Sequence, residues 1–169
     1  MSWCKAACLT LLLSACGFTP VYGPVGVARG LTGEIAIDPP RDETGFVFVK
    51  KLEERLGRAS SARYRLAADL DVSEERQGIT PSNDSTRVHV VGTLDYQLLQ
   101  AGTNAPVRSG QITSFTAYSD PVFTDTRVTI AGNPVTVRAA RRDATERLMT
   151  ILADRLTAEL QASAADWRQ

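Results

Sequence analysis

The sequence predicts an α+β two-layer sandwich: a four-stranded, mostly antiparallel sheet with two helices on one face, in the order β-α-β-β-β-α. Two observations carry this. Between residues 63 and 118, apolar and polar side chains alternate in three successive runs separated by turn-forming residues, the period of half-buried strands. On either side of that block, apolar residues recur at three- and four-residue spacing, the period of amphipathic helices.

Glu34 to Ile37 forms a short alternating strand, closed by Pro39 and Pro40. Asp42 then stands where a helix cap belongs. Val49, Leu52 and Leu56 follow at helical spacing with Phe48 beside them, until Gly57 stops the segment. The run Phe46-Val47-Phe48-Val49 is β-like by propensity, which leaves the helix start open. From Arg63 to Val72, Tyr64, Leu66, Ala68, Leu70 and Val72 share one face, and Arg65, Asp69 and Asp71 take the other. Gly78 to Asp84 reads as a turn. Arg87 to Leu98 alternates again, with Val88, Val90, Leu94, Tyr96 and Leu98 together and Gly92 allowing a close approach. A hairpin loop over Gly102 to Pro106 leads to the return strand, Val107 to Tyr118. The first strand reaches the second through a helix, so that pair is expected to be parallel and right-handed if adjacent.

Asp120 to Pro134 has no sustained period and reads as a loop. From Ala139 the pattern is helical: Ala144, Leu148, Ile151, Leu152, Leu156 and Leu160 make one stripe, while Arg141, Arg142, Asp143, Glu146, Arg147, Asp154 and Glu159 supply the wet side. A single stripe of this kind packs on something, and the apolar face of the meander is its natural partner. No internal repeat is visible.

Ahead of the domain, a single Lys5 precedes an apolar run, Ala6 to Ala15, and Leu13-Ser14-Ala15-Cys16 closes it. A charged n-region, an apolar h-region and a small-residue cleavage site form a secretory signal. A bilayer core needs about 20 apolar residues, roughly twice this run, so it does not read as a membrane-spanning helix. The four closing residues resemble the lipobox of bacterial lipoproteins, in which the cysteine thiol receives a diacylglycerol before cleavage. That resemblance implies lipid attachment at Cys16, through a thioether-linked diacylglycerol and an N-acyl chain; a plain secretory signal with an incidental cysteine is the alternative. Gly17 follows Cys16 in place of an inner-membrane-retaining aspartate, which favours the outer membrane. The expected organisation is a signal peptide over 1–15, a lipidated N-terminus and tether over 16–33, rich in glycine and proline, and one domain over 34–165.

Removal of the signal leaves about 154 residues, the size of a single domain. Cys4 and Cys8 leave with it, so the expected mature domain has no disulfide and no thiolate metal ligand, and His89 is the only histidine. The 19 basic and 19 acidic residues balance, which excludes a strongly basic nucleic-acid-binding domain. Nearly all the basic residues are arginines. A GC-rich genome explains that bias more simply than phosphate recognition does.

The catalytic classes find no purchase. His89 falls mid-strand on the face opposite Val88 and Val90, and no Gly-x-Ser-x-Gly elbow presents a serine. Glu53-Glu54 and Glu74-Glu75 are adjacent pairs, which do not converge on a helix or a strand. No Cys/His cluster, calcium loop or glycine-rich phosphate loop is present. Binding is the stronger class. The polar face of the sheet carries Arg65, His89, Asp95 and Gln97, with Arg87 near one end and Arg127 in the loop after the last strand.

Three stretches carry a further resemblance. The segment Ala15-Cys16-Gly17-Phe18-Thr19-Pro20-Val21-Tyr22-Gly23 resembles the start of the LptE family of lipopolysaccharide-assembly lipoproteins, in its α-proteobacterial form. Thr116-Ala117-Tyr118-Ser119, and Arg142-Asp143-Ala144-x-x-Arg147-Leu148 continued by Leu152-Ala153-Asp154, also look like that family. The resemblance implies a non-enzymatic, cofactor-free, outer-membrane lipoprotein on the periplasmic side. Its implied partners are lipopolysaccharide and the LptD β-barrel, which LptE proteins plug and help to assemble. The resemblance carries over no binding residue beyond Cys16; from their positions alone, Arg87 and Arg127 are the candidate lipopolysaccharide contacts, with plain solvent exposure the alternative. The alternative is an auxiliary lipoprotein of an ABC-type lipid-transport system, which has similar size, lipobox and element order.

Overall fold

The computed structural model describes residues 31–79, 85–120 and 134–168. Cys16, the tether through residue 30 and Arg127 lie outside the described residues. A short strand β1 (Ile35–Ile37) leads through α1 (Glu43–Leu56) into three long strands, β2 (Tyr64–Ile79), β3 (Ser85–Gln100) and β4 (Pro106–Ser119). The long helix α2 (Pro134–Ala162) and the single turn α3 (Ala164–Trp167) follow. The strands lie in the order β1-β2-β3-β4, with β1 parallel to β2 and the other neighbours antiparallel. The α+β sandwich and the parallel first pair are as expected.

The start of α1 is set by its cap. The Asp42 carboxylate accepts the Gly45 backbone N–H at 2.7 Å, satisfying a donor that has no partner inside the helix. The β-like run Phe46–Val49 is therefore helical, because the cap and the burial of Phe48, Leu52 and Leu56 outweigh local propensity. Gly57 ends the helix at φ +72°, where a Cβ would fall 2.8 Å from Thr32 Cγ2. A side chain there would be strained and crowded at once.

Both helices cover the same sheet face. Val88, Val90, Leu94, Tyr96 and Leu98 of β3 are buried with Leu148, Leu152, Leu156 and Leu160 of α2 in one cluster. The close approach expected at Gly92 is real: a Cβ there would meet Leu148 Cδ2 and Leu152 Cδ1, each at 3.0 Å. Tyr96 in turn lies over Gly110, its partner across the ladder.

Four boundaries differ from expectation. The second strand does not stop near Val72; its ladder with β3 continues to Ile79 opposite Ser85, because hairpin pairing satisfies the backbone without needing an apolar face. Helix α2 begins at Pro134 rather than Ala139, since proline in a first turn gives up an N–H that has no partner there anyway. That extra length includes Val135, 66 % exposed, and so carries no buried stripe to announce it. The turn α3 brings Trp167 against Tyr64, ring centroids 5.0 Å apart and nearly perpendicular. Leu31, placed in the tether by its glycine-rich surroundings, is a buried core residue.

Candidate functional site

The sheet face opposite the helices has no covering layer among the described residues. Arg65 lies 3.5 Å from Asp38, and the Gln111 amide donates to Asp95 at 2.9 Å. His89 stacks on Phe115 with centroids 5.1 Å apart and an interplanar angle of 20°. Phe115 is 60 % exposed, so the expected polar face carries an aromatic island toward one end. His89 is thus a surface stacking partner, placed on the side the alternation predicted. Arg87 is exposed on β3.

A second concave surface joins segments far apart in sequence. Phe46, Val47 and Lys50 of α1 and Arg138 and Arg142 of α2 line a groove of about 600 Å³ that reaches Val72 and Val90 of the sheet. Its floor is apolar and its rim is charged. Phe46, 60 % exposed, was the one sequence signal for it, an aromatic on the side of α1 away from the buried stripe. Below it, Tyr118 and Arg141 both reach Glu74: the Tyr118 hydroxyl donates at 3.4 Å and the guanidinium sits at 2.5 Å. Burial, followed by the negative field of Glu74, raises the Tyr118 phenol above its ordinary value.

The Tyr96 ring is buried under α2, and its hydroxyl meets a partly exposed polar cluster. Its hydroxyl donates to Glu159 at 2.5 Å, and Arg108 approaches the same carboxylate oxygen at 3.4 Å. Burial and then the bond to Glu159 push the Tyr96 phenol upward. A protonated phenol between a carboxylate and a guanidinium ties β3, β4 and α2 together. Among the described residues no group of histidines, cysteines and carboxylates could hold a metal ion.

The two internal motifs meet in space. Thr116 Oγ1 donates to the Ala144 carbonyl at 2.8 Å, and Arg147 donates to the Ala117 carbonyl at 3.2 Å. Asp143 holds the other end of the Arg147 guanidinium at 2.6 Å. Further along, Arg155 donates to the Thr113 carbonyl at 2.9 Å. Eight helical residues rise about 12 Å and four strand residues about 13 Å, so the two arginines keep step with the β4 edge.

A model of the lipopolysaccharide-assembly family LptE matches residues 32–160. The chain belongs to the LptE family. A crystal structure of a putative lipoprotein from Caulobacter crescentus superposes with a TM-score of 0.62 at 25 % identity, covering 82 % of this chain and 96 % of that one. Rare lipoprotein B from Shewanella oneidensis shares the fold at a TM-score of 0.56 and 11 % identity, over 80 % of this chain and 98 % of that one. A minor lipoprotein from Acinetobacter baumannii does so at 0.54 and 12 %, over 78 % and 94 %. No curated protein matches. Membership in LptE ties the chain to lipopolysaccharide assembly. No helix among the described residues is long and apolar enough to cross a membrane.

Proposed function

We propose that this LptE-family chain is an outer-membrane lipoprotein, anchored through acylated Cys16, that plugs an LptD-like β-barrel, assists its assembly and takes part in delivering lipopolysaccharide to the outer leaflet. The family match over residues 32–160 carries the reading. The uncovered sheet face supports it. Arg65, Asp95, Gln97 and Gln111 offer hydrogen-bonding side chains on a rigid layer, and the lumen of a large barrel is polar. Arg87 and Arg127 are the proposed lipopolysaccharide contacts, suited by bidentate guanidinium geometry to phosphorylated sugars. No catalytic step and no cofactor belong to this function.

Depletion of the protein tests it. Correctly assembled barrel should fall, surface lipopolysaccharide should drop, and the outer membrane should become leaky to large antibiotics. An auxiliary lipoprotein of an ABC-type transporter would leave the barrel intact and co-purify with inner-membrane components. Normal barrel assembly with unchanged surface lipopolysaccharide would reject the plug.

A further inference from the structure

The sheet treats its two edges differently. On β4, carbonyls that face outward at Thr113 and Ala117 are occupied by Arg155 and Arg147. On the other side, β1 pairs with β2 only from Tyr64 to Leu66, and Asp38 N–H makes the last bond, to Leu66 O at 3.0 Å. Pro39 and Pro40 then end the pairing, for neither has an N–H to donate. The antiparallel ladder alternates inward- and outward-facing backbone groups. Since Leu66 faces outward, so do Ala68, Leu70, Val72, Glu74 and Arg76. Among the described residues none of these has a backbone partner on that side, which leaves about 30 Å of open edge at about 3.4 Å per residue.

The side chains along this edge specify what would fit. On the open face Asp69, Asp71 and Glu75 form an acidic row; Asp69 meets Arg41 at 3.1 Å, and both groups are largely exposed. On the helix face Leu70 and Val72 are only half-buried, and the groove lined by Phe46 and Val47 begins beside Val72. A second copy does not suit. Antiparallel self-pairing centred on Val72 places Asp69 against Glu75, and centring on Ser73 places Asp71 against Glu75. Like charges directly opposite are destabilising.

We propose that the outer edge of β2, from Ala68 to Arg76, accepts an extended segment of a partner polypeptide as a fifth strand, with basic residues alternating with apolar ones. The basic side chains face Asp69, Asp71 and Glu75, and the apolar ones lie beside Leu70 and Val72 toward Phe46. Strand addition draws affinity from main-chain hydrogen bonds and specificity from alternate side chains. It does not depend on the barrel reading: the pairing uses the backbone edge of β2, although the acidic row borders the same open face that carries Arg65 and Asp95.

The probe is a short synthetic peptide alternating lysine with valine, added to the full chain in detergent and followed by fluorescence anisotropy and backbone amide exchange. Saturable binding is expected, with slowed exchange at Leu70, Val72 and Glu74. The same peptide N-methylated at alternate residues should not bind, and the exposed double variant Asp71→Lys/Glu75→Lys should weaken binding about tenfold by turning two cross-strand pairs repulsive. No binding, equal binding of the methylated peptide, or unchanged exchange at those amides would overturn the proposal. So would protection of the same amides by self-association without peptide, which would assign the edge to a second copy.

Discussion

Arg147, on α2, donates a hydrogen bond to the backbone carbonyl of Ala117, on the edge strand β4, at 3.2 Å. It joins two sequence motifs that resemble the same family and lie 30 residues apart. With Arg155 on Thr113 it occupies acceptors that would otherwise be free to pair with another chain. The double variant Arg147→Ala/Arg155→Ala should therefore gain concentration-dependent self-association through β4, helped by exposed Phe115. Sedimentation velocity checks this; a variant no more associated than the parent would remove the edge-guarding role.

Leu152 is fully buried beneath Gly92, and Glu146 is exposed on the same helix. Leu152→Ala should cost about 2–5 kcal/mol of stability through lost contacts and a residual cavity. Glu146→Ala should stay within about 0.5 kcal/mol. Equal melting temperatures for the two would contradict the assigned faces.

Gly92→Val inserts a branched side chain where even a Cβ meets two leucine methyls at 3.0 Å. Overpacking of this kind costs about 1–3 kcal/mol. Pairing it with Leu148→Ala should recover part of the loss, because the two changes share one space. Chemical denaturation of the single and double variants measures that coupling, and strict additivity would place the steric conflict elsewhere.

Tyr96 sets an alkaline limit. Its phenol is raised above the ordinary tyrosine value of 10.0, by burial first and by Glu159 second. The folded state thus holds the proton more tightly than the unfolded chain. The resulting stability is complete below the unfolded value and is lost as pH rises through the folded one. Denaturation midpoints of the parent should fall more steeply above pH 10 than those of Tyr96→Phe. Parallel alkaline limbs would mean that Tyr96 contributes nothing to them.

Cys16→Ala should abolish incorporation of labelled fatty acid and leave a soluble or signal-retaining form. A variant that still incorporated label would discard the lipobox reading.

Much of the fold was legible because burial follows period. The alternation at Val88, Val90, Leu94, Tyr96 and Leu98, and the stripe through Leu148, Leu152 and Leu156, each point to one apolar face. A face must be buried against another, and the sandwich follows. Asp42 and Gly57 were legible for a different reason: a cap and a stop act within a few residues of the chain.

What remained hidden was set by contacts between distant segments. Val135 carries no burial signal, so the first turn of α2 could not be seen from its pattern. The length of β2 beyond Val72 depends on its ladder with β3, and backbone pairing leaves no mark on side-chain periodicity. Leu31 and Trp167 look like terminal residues until the core closes over them. The groove between α1 and α2 joins residues about 90 apart, and the contrast between a guarded β4 and a bare β2 exists only once strand order is known. Local pattern determined the elements and their inner faces. Tertiary packing alone decided which edges stay open, because an edge is defined by the neighbour it lacks.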